Sequence, residues 1–461
     1  MKGQLTPKEW NAVQIADISI KGQQRKPTSD ELFTYVDIGS IDRDSKVISK
    51  PQLLKGEDAP SRARKIINTG DVLVSLTRPN LNAVALVTEE YDEQIASTGF
   101  EVIKPINVDS RYIFALTRSK DFIDTISGVT QGALYPAAKS ADVQAYTFLL
   151  PPLAEQKVIA EKLNTLLAQV EVTKARLEST LDTLKQFRQS VLAAAVSGKL
   201  TEDWRDEIGL EESIIEREIK SLAKDEKYSL AIGPFGSNLK VSDYKQLGKP
   251  LVFVREIRAD RFGDNLTKFI SNEKFEELKA HRVKPGDLLI TKMGDPAGDV
   301  AIYPEGHSEA VITADCIKFT VDEDKLSKSY ALYAMRSPLF RARIVQISAG
   351  VAQQKISLKN FRSLTLPVPS YEEQLEVARR VEKLFASADF TEQQVNQALE
   401  RVNSLTQSIL AKAFRGELTE QWRRENPELI SGKNSAEALL KKIKAERAAA
   451  KPKRKTRKVN V

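Results

Sequence analysis

The chain has 461 residues, about three times a typical single domain, so two or more cores are expected. Apolar residues make up 41% and charged residues 29%, near globular averages, and no run of about 18 apolar residues could span a bilayer. The net charge of +7 is uneven: residues 441–461 hold ten Lys or Arg against one Glu, so +7 less +9 leaves −2 for residues 1–440, and a DNA-binding face would have to be a local patch.

The N-terminus, MKGQLTPKEW, has no apolar leader core, and the single cysteine, Cys316, has no partner for a disulfide. A bacterial or other reducing cytoplasm is therefore expected. Residues 1–153 are expected to form a first α+β domain, with ELFTYVDIGSI, DVLVSLT and ALVTEE carrying the Val, Ile, Phe and Tyr enrichment of short strands. Arg62, Arg64 and Lys65 form a basic cluster suited to phosphate contacts, with a solvated charged turn as the alternative. The loop TRPNLNA offers Arg78, Asn80 and Asn82, residue types that pair with guanine and adenine edges in the major groove. A glycine-rich loop, SGVTQGALYP, carries Thr130 and Gln131 and is followed by Lys139. Glycine lets backbone approach a ligand closely, and amide or hydroxyl groups can meet phosphates or base edges. An ordinary surface loop is the competing reading.

Residues 154–204 read as a long helix. Pro151-Pro152 stands before it, no Pro or Gly occurs from about Glu155 to Ala195, and Gly198 fits a left-handed C-terminal cap. Leu163, Val170, Leu177, Leu184 and Val191 form a heptad seam, with Ile159, Leu166, Thr173, Thr180 and Phe187 as a companion row. At about 1.5 Å per residue it spans roughly 60 Å, more than one turn of B-DNA at about 34 to 36 Å.

Residues 205–369 comprise a linker and a second α+β domain with strand-like PLVFVREI, DLLITK and CIKFTV. Its candidates parallel the first: Arg282 and Lys284 with His281 for phosphates, Lys292 and Asp295 in TKMGDPAG, and Gln353, Gln354 and Lys355 in SAGVAQQKIS. Residues 370–423 repeat the helix. Pro367 and Pro369 precede it, Ser370 with Glu373 fits a capping box, and Gly416 fits the C-terminal cap. Its seam is Val381, Ala388, Val395, Val402 and Ile409, beside Val377, Leu384, Thr391, Ala398 and Leu405. Two narrow apolar stripes in one chain pair most economically with each other, as an antiparallel coiled coil. Residues 424–461 add a helical segment and a basic tail expected to be disordered.

The two halves are copies. SVLAAAVSGKLTEDWR (190–205) recurs as SILAKAFRGELTEQWR (408–423), with Trp204 and Trp422 218 positions apart. The same shift aligns Tyr112 with Tyr330 and Glu155-Gln156 with Glu373-Gln374, while Gly70-Asp71 matches Gly286-Asp287 with a shift of 216. A pseudo-twofold repeat follows. Catalytic motifs are missing: there is no GxxxxGK[ST], only His281 and His307 stand beside one Cys, and Asp295-Pro296-Ala297-Gly298 falls short of an amino-methyltransferase tetrapeptide.

The order of domain, PPLAEQKVIAEKLNTLLAQVEVTKARLE helix, domain and LTQSILAKAFRGELTEQWR helix resembles the specificity (S, HsdS) subunit of type I restriction–modification enzymes. ENPELISGKNSAEALLKKIKAERAA looks like the IA group, and AIGPFGSNLK looks like the start of many recognition domains in the family. The resemblance implies two target recognition domains reading the halves of a bipartite, asymmetric double-stranded DNA site, with the helices setting the spacer. It also implies a non-catalytic chain that needs no cofactor or metal of its own, is not bound to a membrane, and works with two methyltransferase (M) and two restriction (R) subunits. The partners would supply S-adenosylmethionine-dependent adenine methylation and ATP- and Mg2+-dependent cleavage. A stand-alone DNA-binding regulator dimerised by its coiled coil is the alternative.

Overall fold

One glycine-aspartate turn opens the central strand of each half. Gly70 and Gly286 take φ of 88° and 89°, a left-handed conformation that favours glycine. Asp71 and Asp287 then close the turns by accepting the N–H of Asn68 (2.7 Å) and Lys284 (2.9 Å). Burial raises the Asp71 carboxyl, opposed by the Lys104 ammonium that it binds. The computed structural model describes residues 7–128, 137–211, 213–258, 261–263, 265–294, 297–348 and 354–450. Thr130, Gln131, Asp295, Gln353 and the basic tail beyond Ala450 lie outside them, as does the side chain of Gln354.

By contacts the chain forms two units, Met1–Leu177 with Ala398–Val461, and Glu178–Gln397. These cut through both long helices, so they differ from the domain limits drawn from sequence. In the first unit an antiparallel sheet runs Ser19–Ile20, Phe100–Pro105, Val72–Ser75, Val84–Leu86. A second runs Gln52–Lys55, Leu32–Val36, Ile95–Ser97, Ala63–Ile66, with Leu32–Val36 and Ile95–Ser97 parallel. The second unit repeats this order with Leu230–Ile232, Cys316–Phe319, Leu288–Thr291, Val300–Ile302, and with Phe269–Ile270, Lys249–Val252, Ala310–Ile312, Arg282–Val283 around the same parallel pair. Every strand-like segment named from the sequence contributes to one of these sheets, giving the α+β class.

The long helices are Leu153–Val196 and Tyr371–Phe414, 44 residues each. In the first unit Ile159, Leu163 and Leu167 share a core with Leu410 and Ala413. In the second, Val191, Leu192 and Ala195 share one with Val377 and Val381. The start of one helix meets the end of the other, so the pairing is antiparallel. Leu163, Val170, Val191, Val381, Ala388, Val395 and Val402 are buried, and Leu177 and Leu184 half-buried. The companion row holds at the helix starts, where Ile159 and Val377 are fully buried, and needs correcting beyond them. It lies four residues after the seam rather than three: Leu167 and Ala195 are buried and Lys174, Leu181 and Arg188 half-buried, whereas Thr173 and Phe187 are exposed and Leu166 only half-buried. In the second helix Leu405 and Thr391 are exposed and Leu384 and Ile409 half-buried, while Leu410 and Ala413 are buried. Both rows mix apolar and polar residues, so the partner decides. Arg188 pairs with Asp389 (2.6 Å) and Glu392 (2.8 Å) on the facing helix.

The repeated GKLTEDWR and GELTEQWR strings are clasps. In the first unit the fully buried Glu155 accepts from Thr419 Oγ1 (2.6 Å), Arg423 Nη1 (2.5 Å) and Trp10 Nε1 (2.8 Å), and Arg423 also donates to the Gly416 carbonyl (2.7 Å). In the second, Glu373 accepts from Thr201 Oγ1 (2.6 Å) and Arg205, and Arg205 donates to the Gly198 carbonyl (2.8 Å). Each carboxylate at a helix start is thus held by the motif that follows the other helix. The next residues serve alike: Gln156 accepts the Asp109 N–H (2.9 Å) and Gln374 that of Ser327 (2.8 Å). The C-terminal helix Ala436–Ala450 completes the first unit, burying Leu439 and Ile443 in its core and setting Arg447 on the Asp17 carbonyl.

Removing one partner of a buried pair leaves an uncompensated charge, at a cost of about 3 to 5 kcal/mol. Arg423→Met should therefore lower hydrogen-exchange protection in the first unit and Arg205→Met in the second. Equal loss in both units from either substitution would contradict the assignment.

Candidate nucleic-acid interface

The loop after each central strand is fastened at its base by matching backbone bonds. In the first unit Ser75 N–H donates to Ala83 O (3.0 Å) and Leu76 N–H to Gly99 O (2.8 Å). In the second, Thr291 N–H donates to Asp299 O (2.9 Å) and Lys292 N–H to Asp315 O (2.7 Å). All four positions match with a shift of 216, so the loops have equal length. Each is then bonded to the chain leaving the glycine-rich segment. Ala138 N–H donates to Leu76 O (2.8 Å) with Thr77 opposite Ala137, and Ile356 N–H to Lys292 O (3.0 Å) with Met293–Gly294 paired to Gln354–Lys355. The described parts of two sequence-distant candidate segments are thereby brought together in each unit, with Lys139 in the first and Lys355 in the second.

At this junction in the first unit Arg78 and Asn80 are exposed, and Lys139 is exposed at the start of the helix Ser140–Gln144, with its N–H on Asp142 (2.7 Å). In the second unit Lys355 is exposed. Lys292 is half-buried, its ammonium near the Ala314 carbonyl (3.3 Å) and 4.9 Å from the centre of the Phe235 ring. Phe235 is 61% exposed. It was not singled out from the sequence, although a phenylalanine between Gly233-Pro234 and Gly236 signals an aromatic displayed on a turn. Loops with exposed cations and an aromatic can meet phosphates, base edges and base faces.

Other candidates are engaged inside the fold. Asn82 is buried and its amide donates to the Thr117 carbonyl (2.8 Å). Lys65 donates to the Phe100 carbonyl (2.5 Å) and Glu101 (3.2 Å), tying two strands together. Arg64 is half-buried, donating to the Ala63 carbonyl (2.7 Å), while Arg62 is exposed in the preceding turn. Arg282 lies over the Phe275 ring (4.0 Å), donates twice to the Phe275 carbonyl (3.0 and 2.9 Å) and pairs with Glu276. Lys284 pairs with Glu226 (3.3 Å), and His281 meets the Ile232 carbonyl (2.6 Å). Packing between elements decided these roles, because each side chain sits where a neighbouring carbonyl or carboxylate is presented. Burial pushes the Cys316 thiol up to about 12, which makes it a poor nucleophile. Among the described residues no cluster of three or more His, Cys, Asp or Glu could hold a metal, and no helix is long and apolar enough to cross a membrane.

A repeated α+β reader joined to antiparallel helices defines a class of DNA specificity module, and the comparisons place the chain within it. The family described as type I restriction modification DNA specificity domain matches residues 7–181 and 244–401. The EcoKI type I specificity subunit of Escherichia coli strain K12 is 40% identical over 354 residues, 76% of this chain and 74% of that protein. The EcoBI specificity subunit of Escherichia coli is 42% identical over 349 residues, 73% and 72% of the two chains. The chain belongs to the family of type I restriction–modification specificity subunits. The HsdS subunit from Thermoanaerobacter tengcongensis shares the fold, with a TM-score of 0.59 at 23% identity over 89% of this chain and 98% of that one. So does a chain from a structure of the assembly and conformational transition of the type I R-M system (TM-score 0.74, 24% identity, 90% and 100% covered).

Lys355→Ala should reduce the slope of log affinity for DNA against log salt by about 1, as loss of one phosphate contact does. Arg282→Ala should leave the slope unchanged and destabilise the second unit by about 1 to 3 kcal/mol, read as a lower thermal midpoint. The opposite pattern would exchange their roles.

Proposed function

We propose that this subunit reads a bipartite, asymmetric DNA site, one half by each unit, with the paired helices setting the unspecified spacer. The observation that carries the reading is the same two-loop junction in both units, built on equivalent backbone bonds but displaying different side chains. Arg78, Asn80 and Lys139 stand there in the first and Lys292, Lys355 and Phe235 in the second. A shared scaffold with unlike tips suits two different half-sites. Phosphate contacts would fix the register and tip residues would read base edges.

Two methyltransferase subunits would dock on the helical scaffold and methylate adenine from S-adenosylmethionine, and two restriction subunits would add ATP- and Mg2+-dependent cleavage. The chemistry and its cofactors thus lie on the partners. Methylation requires the adenine to leave the stack, so the units would grip the duplex on either side of it. The assembly would work in the cytoplasm, where its DNA is. The relatives named above are specificity subunits, which favours this reading over a stand-alone regulator.

Inserting one heptad into each long helix, between Leu177 and Leu184 and between Ala388 and Val395, adds about 10 Å of helix. The recognised spacer should lengthen by about three base pairs, with both half-sites unchanged, when methylated sites are mapped. A changed half-site with an unchanged spacer would sink the ruler.

A further inference from the structure

The equal-length loops after the central strands carry different residues at two matching positions. Arg78 and Asn82 have positive φ, 49° and 47°, at the positions where the second unit places Gly294 and Gly298, at 157° and 95°. Glycine takes such angles freely and asparagine more readily than most, whereas arginine holds them only where its surroundings impose it. Around Asn82 the supporting bonds are visible. Its amide donates to the Thr117 carbonyl (2.8 Å), and its own carbonyl accepts from Lys46 Nζ (2.6 Å).

Lys46 comes from a hairpin that differs between the units. In the first, Ile41 pairs with Ile48, whereas in the second the matching Ile257 pairs with Phe262. The first hairpin is therefore two residues longer between its paired positions. Lys46 itself has φ 60°, and Asp42 supports the turn by accepting the N–H groups of Asp44 (2.8 Å) and Ser45 (3.0 Å). Burial, with Arg118 nearby, lowers the Lys46 ammonium to about 8, as fits a cation used under a loop rather than in solvent.

We propose that Lys46 and Asn82 are positioning residues for the first reader. They clamp the left-handed end of the 77–82 loop so that Arg78 and Asn80 are presented in one fixed geometry. In the second reader glycines, Gly294 and Gly298, stand at the positions of Arg78 and Asn82. This rests on the reading that the loop junction contacts DNA.

The test uses the full chain assembled with its methyltransferase partner and DNA sites carrying single base-pair changes in either half. Arg78→Ala is measured first. Relaxed discrimination in one half identifies the half-site of the first unit, and no relaxation in either half means the loop does not read DNA, so that the underlying proposal fails. Given relaxation, Lys46→Met should reduce discrimination in that same half by about tenfold, within the range for one base-pair contact. The other half should be unchanged, and Lys46→Arg, which keeps a donor, should restore most of the effect. Unchanged discrimination in Lys46→Met, or equal relaxation in both halves, overturns the positioning role. If Lys46→Met lowers the thermal midpoint, Asn82→Asp, which removes the donor to Thr117, decides by the same readout. Relaxation confined to the first half-site supports the role, and unaltered discrimination overturns it.

Discussion

A buried carboxylate at the start of each long helix is the constraint on which the rest depends. Glu155 and Glu373 are almost completely excluded from solvent, and an ionised carboxylate there is costly unless paired and hydrogen-bonded. Each finds its threonine and arginine in the segment that follows the other helix. A unit is therefore incomplete until chain from both copies of the repeat has come together. The two helices must run antiparallel for that to happen, because each end carries one half of a clasp. The apolar seam then needs only to be narrow, with the register also held by Arg188 against Asp389 and Glu392.

Around these fixed points the units have kept their frame and changed their tips. The glycine-aspartate turns, the parallel strand pair, and the tyrosines that bond to the strand before each long helix, Tyr112 to the Leu149 carbonyl in Thr147–Leu150 and Tyr330 to the Pro367 carbonyl in Thr365–Val368, are common to both. Beyond the backbone bonds at the loop base the residues diverge. The first reader uses a left-handed asparagine and a lysine brace, the second glycines and an exposed phenylalanine beside a lysine. Rigid support with variable side chains lets one fold carry different recognition without altering its core.

The repeat, the sheet strands and the helix limits were legible because each has a periodic or punctuated signal: Val-rich runs, Gly-Asp turns, prolines before the helices and glycines after them. The companion row of the coiled coil was not. Thr173 and Lys174 are equally poor core residues, so only the facing helix selects between the rows. Asn82, Lys65 and Arg282 read as DNA contacts since polar side chains advertise chemistry but not direction, and tertiary packing set each against a carbonyl of another element. Lys46 gave no signal at all, as its role depends on a carbonyl 36 residues away. The clasp was visible as repeated letters, yet its exchange between copies appears only in the fold.

The most direct test of two different readers on one duplicated frame is to map methylated adenines in cells that express this chain with a methyltransferase partner. The result expected is a single bipartite motif, with two unlike half-sites separated by a spacer of constant length. A continuous motif, or two identical half-sites in inverted repeat, would contradict it.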